Sequence, residues 1–241
     1  MSDIDLSLVI ACYNEKSILE KSIKQIFEVL DDTRFNYEVI FVDDKSEDNT
    51  RAIIDSIISK YPDKNLSKIF HEKNVGRGAS VAEGIVVSRG PIVGSIDIDL
   101  STPARYIPVL TVEIEKGADI ANAFRVYKLC WIAVPRWIIS KCYSFLVKLM
   151  LRLDLGDTET GCKLFRRERI LPILDEIRDK HWFWDTEIIA RAHIKGLRIV
   201  NLPTVFIRKG LYSRVKIIRD SFRYLNNLIR FKIELDRIRK R

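Results

Sequence analysis

Two aspartates separated by one residue stand directly after a short apolar run. The run is Val93-Gly94-Ser95-Ile96, and Asp97 and Asp99 follow it on either side of Ile98. Alternation along a strand puts the two carboxylates on the same side. Such a pair suits a hard divalent cation like Mg²⁺, which also takes oxygen ligands from substrate phosphates. A solvated loop with helix-capping acids is the alternative, and the pair alone leaves both interpretations open.

A second acidic cluster follows another apolar run, at residues 43–50. Asp43 and Asp44 come first, and a carboxylate there can accept hydrogen bonds from base NH or ribose OH groups. Ser46 or Asp48 would cap the next helix. Capping by these later residues would leave Asp43 and Asp44 free to face a ligand.

A glycine-bracketed turn, Asn74-Val75-Gly76-Arg77-Gly78, precedes a helical pattern. Backbone NH groups at a helix start, together with Arg77, suit a pyrophosphate. The turn is not a Walker loop, because no Gly-Lys-Ser/Thr follows. It is also a poor dinucleotide fingerprint, because it does not open the first βα turn.

Strands and helices alternate through the first half of the chain. The helical stretches between the strands show apolar residues at helical spacing. The predicted strands are Leu6–Cys12, Tyr37–Val42, Leu66–Phe70 and Ile92–Ile98. This order indicates βαβ units, and therefore a Rossmann-like α/β fold with a mainly parallel sheet covered by helices on both faces. Ligands bind beyond the carboxyl ends of such strands, so the acidic clusters should converge on one rim.

Two later segments have the pattern of amphipathic helices. One runs from Pro135 to Leu153, within an interface segment at about 132–155, and the other runs from Tyr212 to the end. In the second, cations surround an apolar set that suits the headgroup boundary of an anionic membrane. This set is Phe222, Tyr224, Leu225, Leu228 and Ile229. A helix packed on the domain and a nucleic-acid patch are the alternatives, and we expect no nucleic-acid partner.

Charge and composition narrow the class of protein. The net charge is +8, and residues 211–241 hold ten Lys/Arg and three Asp/Glu, a balance of +7. We therefore divide the chain into a domain at 1–210 and a basic tail at 211–241. The acidic start and the lack of an uncharged apolar run of about 18 residues predict neither a signal peptide nor a membrane span. Four scattered cysteines favour a reducing cytoplasm over disulfides or structural zinc.

Taken in order, these motifs resemble the successive signatures of family 2 inverting glycosyltransferases. Later blocks are most similar to the dolichyl (polyprenyl) phosphate mannose and glucose synthases. These blocks are Asn122-Ala123-Phe124-Arg125, Arg136 with Ser140, Asp157 to Arg166 and Phe183 to Ile188. The resemblance covers roughly residues 6 to 210 and implies a GT-A fold with amphipathic interface helices. It also implies metal-dependent, inverting transfer of mannose or glucose to a polyprenyl phosphate.

The resemblance assigns roles position by position. The residues placed around the nucleotide are Ala11, Tyr13, Glu15 and Asp44. Asp43, Arg77 and Asp97 are added to this group because of the motifs in which they stand. The residues placed at Mg²⁺ or Mn²⁺ are Asp97, Asp99 and Ser101. The residues placed at the acceptor phosphate are Arg125, Arg136 and Ser140, which with Asp99 form the predicted catalytic set.

Several alternatives stay open. A family 2 enzyme acting on a sugar or protein hydroxyl would need a base, and Asp185 or Glu187 would be the candidates. A nucleotidyltransferase and a non-catalytic membrane-associated scaffold are alternatives from other classes. The donor would be GDP-mannose or UDP-glucose. A lipid acceptor implies a cytoplasmic protein that is peripheral on the inner face of a membrane.

Overall fold

The computed structural model describes residues 3–127, 143, 145–153, 155–207 and 217–238. Strands within these residues form one seven-stranded sheet. They are β1 (Leu6–Cys12), β2 (Tyr37–Asp43), β3 (Asn65–Phe70), β4 (Ile92–Ile96), β5 (Ile120–Tyr127), β6 (Cys162–Arg166) and β7 (Ile199–Phe206). Their order across the sheet is β3-β2-β1-β4-β6-β5-β7.

The sheet is mainly parallel, as the alternation of elements predicts. β1 pairs in parallel with β2 and β4, β2 with β3, and β5 with β7. The exception is β6, which runs antiparallel to both β4 and β5. Because Ile96 pairs with Cys162, the start of β6 lies beside the end of β4. The segment before β6 therefore reaches the rim at which β4 ends.

Helices cover both faces of the sheet, as expected when parallel strands are joined by crossovers. They are α1 (Leu19–Asp31), α2 (Thr50–Lys60), α3 (Arg77–Val87), α4 (Tyr106–Glu115), α5 (145–151), α6 (Arg167–Leu174), α7 (Trp184–Ile194) and α8 (Ile217–Ile238). Leu8 and Ile10 of β1 belong to one buried apolar cluster, whereas Val9 belongs to another. Successive side chains of one strand thus enter the two layers of core on opposite faces.

The end of β4 differs from the prediction. The strand stops at Ile96, two residues before the expected Ile98. Asp97 donates its amide to the Gly161 carbonyl at 2.9 Å, and Leu100 donates to the Asp97 carbonyl at 2.9 Å. Leu100 has φ 49°, so the chain turns here instead of continuing the strand. Asp97 and Asp99 consequently lie in a tight turn at the rim of the sheet.

The basic tail contains the predicted helix, α8, but part of its apolar side packs on the domain. Leu228, Phe231 and Leu235 are buried in the same cluster as Phe183. Leu228 was expected in a lipid boundary, and burial in the protein core corrects that expectation. The side chain of Phe222 lies outside the described residues, as do residues 132–142, 144 and 154 of the interface segment. Among the helices that are described, none is both long and apolar enough to cross a membrane.

Candidate active site

The Asp97–Asp99 pair lies in the turn that follows β4. Ile98 is buried between them, whereas Asp97 is half-buried and Asp99 is exposed. The Asp99 carboxylate accepts hydrogen bonds from the Ser101 amide at 2.8 Å and from the Ser101 hydroxyl at 2.7 Å. The three side chains proposed as cation ligands thus belong to one turn. Within the described residues, no group of three or more His, Cys, Asp or Glu side chains forms a metal cluster.

The Asp97 carboxylate lies between an arginine and a glycine. Arg77 donates to its Oδ1 from Nε at 2.9 Å and from one terminal nitrogen at 2.7 Å. On the other side, a Cβ at Gly161 would lie only 1.8 Å from Oδ2. Burial raises the pKa of Asp97, Arg77 opposes this, and the nearby charges of Asp99 and Asp185 raise it further. A divalent cation would relieve this crowding of negative charge, so the turn suits a hard cation that takes few protein ligands.

Asp185, a candidate base, is held by two cations. Its Oδ2 accepts from Arg77 at 2.8 Å, and its Oδ1 accepts from the Lys163 ammonium at 2.7 Å. Lys163 is 1% exposed and also donates to the Thr160 carbonyl. Arg77 therefore joins the half-buried Asp97 to the buried Asp185 in one ion-pair chain, which continues to Lys163 on β6.

Asp43 and Asp44 are not free in the way that the sequence suggests. Asp43 is fully buried and accepts from Arg51 Nε at 2.5 Å and from the Ser46 amide at 3.0 Å. Asp44 accepts from the Val75 amide at 2.7 Å and the Gly76 amide at 2.8 Å. Both carboxylates organise the loops beside β2. Most of their oxygens are therefore engaged, although within the described part of the chain Oδ2 of Asp43 has no hydrogen-bond partner, and the roles of both residues at the nucleotide stay predictions.

The loop after β1 is fixed to the loop after β2. Asn14 has φ 55°, donates its amide to Ser46 Oγ at 2.8 Å and accepts from the Glu47 amide at 2.8 Å. The Glu15 amide donates to Thr50 Oγ1 at 2.7 Å. Beside these bonds Tyr13 is 38% exposed, and Ala11 is partly exposed at the end of β1. The structure thus brings the β1 and β2 residues assigned to the nucleotide to one rim, and their roles stay predictions.

Arg125, assigned to the acceptor phosphate, is a buried partner of two carboxylates. Its Nε and a terminal nitrogen each reach Asp157 at 2.6 Å, and the terminal nitrogen lies 3.5 Å from Glu159. Burial raises the pKa of Asp157, but its bonds to Arg125 lower it below the usual value. Burial raises the pKa of Glu159, with Asp157 and Asp185 adding to the effect and Arg125 opposing it. The other two acceptor residues, Arg136 and Ser140, lie outside the described residues.

Glu187, the second candidate base, belongs to a different network. It is 3% exposed, accepts from Arg191 at 2.6 Å and accepts from the amides of Arg178 and Asp179 at 3.2 and 3.0 Å. Arg191 also bonds Glu234 of α8 at 3.0 Å. Glu187 thus connects α7 to α8, and a role as base would require this network to open.

Two residues at the site were not assigned from the sequence. In the sequence, Lys163 is one of several cations and nothing distinguishes it. Its burial follows from the position of β6, which runs antiparallel between β4 and β5. Trp182 lies with its ring centroid 5.7 Å from the Arg77 guanidinium, a cation–π contact that covers one side of the arginine. Trp182 stands only three residues before Asp185 in the sequence, which was a weak signal for a position near this site.

Comparison with known proteins decides the family. A model of glycosyl transferase family 2 matches residues 7–171, more than half of the 241 residues. The chain belongs to glycosyl transferase family 2. The resemblance inferred from the motifs is therefore confirmed, and the protein is a glycosyltransferase. The scaffold and nucleotidyltransferase alternatives are replaced by this assignment.

Three relatives illustrate the similarity. Glycosyltransferase AglD of Haloferax volcanii is 30% identical over 90% of this chain, but the match covers only 35% of AglD. A dolichyl-phosphate beta-glucosyltransferase of Dictyostelium discoideum is 26% identical, over 96% of this chain and 78% of that protein. A dolichol-phosphate mannosyltransferase of Pyrococcus furiosus is 30% identical, over 98% of this chain and 66% of that protein. The match to this family 2 chain thus spans about a third of the length of AglD.

Solved structures share the fold of this family 2 glycosyltransferase. Glucosyl-3-phosphoglycerate synthase from Mycobacterium tuberculosis, in complex with UDP, gives a TM-score of 0.65 at 17% identity, over 96% of this chain and 79% of that one. A mannosyltransferase from Pyrobaculum calidifontis, in complex with GDP-Man and Mn²⁺, gives 0.59 at 19% identity, over 88% and 59%. At these identities the likeness shows the fold alone. The predicted GT-A fold is confirmed.

Proposed function

We propose that this glycosyltransferase moves a hexose from a nucleotide sugar to a polyprenyl phosphate with the help of a divalent cation. The observation that carries the choice of acceptor is the position of Asp185 between Arg77 and Lys163. Both Asp185 oxygens accept hydrogen bonds from these cations, so taking a proton from an acceptor hydroxyl would require an ion pair to break. A hydroxyl acceptor needs a base, whereas a phosphate monoester is already anionic near neutral pH.

The names of the relatives support the same acceptor class. The Dictyostelium and Pyrococcus relatives are named for transfer of glucose and mannose, respectively, to dolichyl phosphate. The hexose of this chain is accordingly glucose or mannose, carried by UDP-glucose or GDP-mannose. The chain spans about two thirds of the Pyrococcus relative and a smaller part of AglD, so acceptor and donor both belong to the proposal.

The rim formed by the ends of β1, β2 and β4 would hold the donor. Asp97, Asp99 and Ser101 would hold Mg²⁺ or Mn²⁺, and the cation would supply positive charge for the departing nucleoside diphosphate. Arg77, already placed against Asp97, offers guanidinium donors to diphosphate oxygens. Tyr13 presents an exposed ring at the same rim, suitable for the nucleoside. Glu15 and Ala11 complete that wall.

Arginines would position the acceptor. Arg125 is set at a fixed angle by its bidentate bond to Asp157, and Arg136 and Ser140 are proposed to join it at the lipid phosphate. An acceptor phosphate oxygen then forms a bond to the anomeric carbon while the bond from that carbon to the diphosphate breaks. The nucleoside diphosphate leaves on the opposite side, so the anomeric configuration inverts. The phosphate reacts as an anion, so no side chain has to remove a proton.

Product mass tests the proposed reaction. The chain and a short polyprenyl phosphate are incubated separately with GDP-mannose and UDP-glucose in the presence of Mg²⁺ or Mn²⁺. With one donor the lipid should gain the mass of one hexose, and the gain should disappear when EDTA removes the metal. The matched polyprenol, which ends in a hydroxyl, should gain nothing. Equal transfer to the polyprenol, or full transfer in EDTA, would contradict the proposal.

Exposed apolar side chains support a peripheral position at a membrane surface. Leu225, Ile229 and Ile233, spaced by four residues on α8, are 39, 40 and 47% exposed. On α5, Phe145 and Leu149 are 63 and 61% exposed. The two helices lie close together here, because the ring of Tyr143, just before α5, packs on the ring of Tyr224 of α8 at a centroid distance of 5.2 Å. Exposed cations on the same helices suit anionic headgroups. The inner face of a membrane is accordingly the proposed location.

Binding to vesicles tests this surface. Replacing Leu225, Ile229 and Ile233 together with glutamine should weaken binding to vesicles that contain phosphatidylserine by at least about tenfold, because three apolar side chains leave the headgroup boundary. The matched control replaces Val86, Val87 and Val109, which are 54, 51 and 44% exposed on other helices. Co-sedimentation measures the bound fraction. Equal binding by the two triple variants would exclude the α8 surface.

A further inference from the structure

The His71 ring lies between two carboxylates. It is 9% exposed, and its Nδ1 is 3.0 Å from Asp44 Oδ1 while its Nε2 is 2.7 Å from Glu83 Oε2. Its backbone is fixed as well, because its amide donates to the Asp43 carbonyl at 3.0 Å and its carbonyl accepts from Arg51. A neutral imidazole has one N–H and cannot donate to both carboxylates. The geometry therefore fits the doubly protonated ring.

Asp44 connects His71 to the turn at the donor rim. Besides the imidazole, its carboxylate accepts the amides of Val75 and Gly76, and its carbonyl accepts from the Asn74 side chain at 3.0 Å. Arg77, the next residue, bonds Asp97. The turn at residues 74–77 is thus held from one end by Asp44 and from the other by Asp97.

Gly76 shows how little this turn can shift. Its φ is +104°, and a Cβ there would lie 2.3 Å from the Lys180 carbonyl and 2.4 Å from His181 Nδ1. The segment that leads to Asp185 therefore packs directly on the turn. A small displacement of Asp44 would therefore shift both Arg77 and the segment before Asp185.

We propose that doubly protonated His71 is a positioning residue for the donor: it holds Asp44, and through Asp44 the 74–77 turn, in place against the donor diphosphate. The inference rests on the proposed function, because that function places the diphosphate at Arg77. When the ring loses a proton, it loses its positive charge and keeps one N–H for two carboxylates, so Asp44 is held less strongly and the turn loosens. Donor affinity should then fall with rising pH.

The direction of the pH effect follows from the neighbours of the ring. Burial alone lowers the pKa of His71, but its hydrogen bonds to Asp44 and Glu83 raise it, and their charges add to this, so that the net pKa lies above the ordinary value. Arg51 is a further charged group at this residue, where it bonds the His71 carbonyl and pairs with Asp43. The holding effect is complete below the ordinary histidine pKa of about 6.5 and is lost as pH rises through the higher value.

Histidine NMR tests the geometry directly. The His71 ring of the full chain should titrate above about 6.5, and Glu83→Gln should lower its midpoint by about one unit, because one carboxylate partner becomes neutral. The Glu83 side chain is 47% exposed, so this change should not disturb the fold. A His71 midpoint that is ordinary, or that Glu83→Gln does not move, would overturn the inference.

Calorimetry of UDP and GDP binding in Mg²⁺, from pH 6 to 9, tests the consequence. For the nucleotide that binds, wild-type affinity should fall about tenfold across this range, Glu83→Gln should shift the fall to lower pH, and His71→Gln should bind weakly without the fall. The matched control is His193→Gln, at an exposed histidine of α7. A pH profile in His71→Gln that follows wild type would overturn this inference alone. Wild-type protein that binds neither nucleotide would overturn the donor site as well.

Discussion

Replacing Gly161 with alanine should lower the transfer rate by at least about 100-fold, although the change adds one methyl group and no charge. The added Cβ would lie 1.8 Å from Asp97 Oδ2 and 2.2 Å from its Cγ, distances that real contacts do not show. Arg77 bonds the other side of this carboxylate at 2.7 Å, so Asp97 can move only by breaking that ion pair. The φ of Gly161 is not in the left-handed region, so the backbone itself accepts alanine.

The variant separates the position of a carboxylate from its charge. Nucleoside diphosphate binding in Mg²⁺, followed by calorimetry, should weaken together with transfer, since Asp97 would no longer sit beside Asp99. Asp99→Asn, which removes a charge instead, should lose transfer at least as completely. Gly196→Ala is the control, because a Cβ there meets nothing within 4 Å and strains only its φ of +74°. Wild-type transfer by Gly161→Ala would show that Asp97 has no part in the reaction.

The place of the site could be predicted from the sequence because parallel strands all end at one rim. Three polar segments follow apolar runs, and the structure puts their strands side by side in the order β2-β1-β4. The sequence also predicts that β4 ends close to Asp97, but it places the end of the strand two residues too late. That shift depends on Gly161, a partner 64 positions away along the chain, with which Asp97 pairs through its amide.

Which carboxylates are free could not be predicted. Asp43 and Asp44 are neighbours in the sequence, yet their partners Arg51 and His71 come from the next helix and the end of β3, 8 and 27 residues away. A local pattern contains no information on such contacts. Lys163 is a similar case, since only the insertion of an antiparallel strand between β4 and β5 buries its charge.

The apolar side of α8 shows a limit of periodicity. The pattern predicts an amphipathic helix, and the structure has one. It does not say whether protein or lipid covers the apolar side, because both exclude water in the same way. Leu228 and Phe231 face the core, whereas Leu225, three residues before Leu228, and Ile229, two residues before Phe231, are exposed. One helix therefore serves the core and still presents apolar surface.

Asp185→Asn should lower the free energy of unfolding by about 3–5 kcal/mol, the usual cost of removing one partner of a buried ion pair. The loss arises because a neutral amide could still accept from Lys163 but would no longer balance its positive charge, and that side chain is 1% exposed. Lys163→Met added to Asp185→Asn should recover most of the loss, because the double variant buries no unpaired charge. Urea denaturation of the two single variants and the double variant measures this coupling.

The same double variant separates the two acceptor classes. Asp185 held by Arg77 and Lys163 is a counter-ion, so turnover per folded molecule at saturating donor should fall by less than about tenfold, with the larger change in donor affinity. A general base contributes roughly 10²–10⁴-fold. A fall of that size with nucleotide affinity intact would mean that Asp185 takes a proton from a hydroxyl, and the phosphate acceptor would have to be abandoned. Retained turnover would leave an acceptor that is anionic before it binds, which is the chemistry that a lipid phosphate supplies.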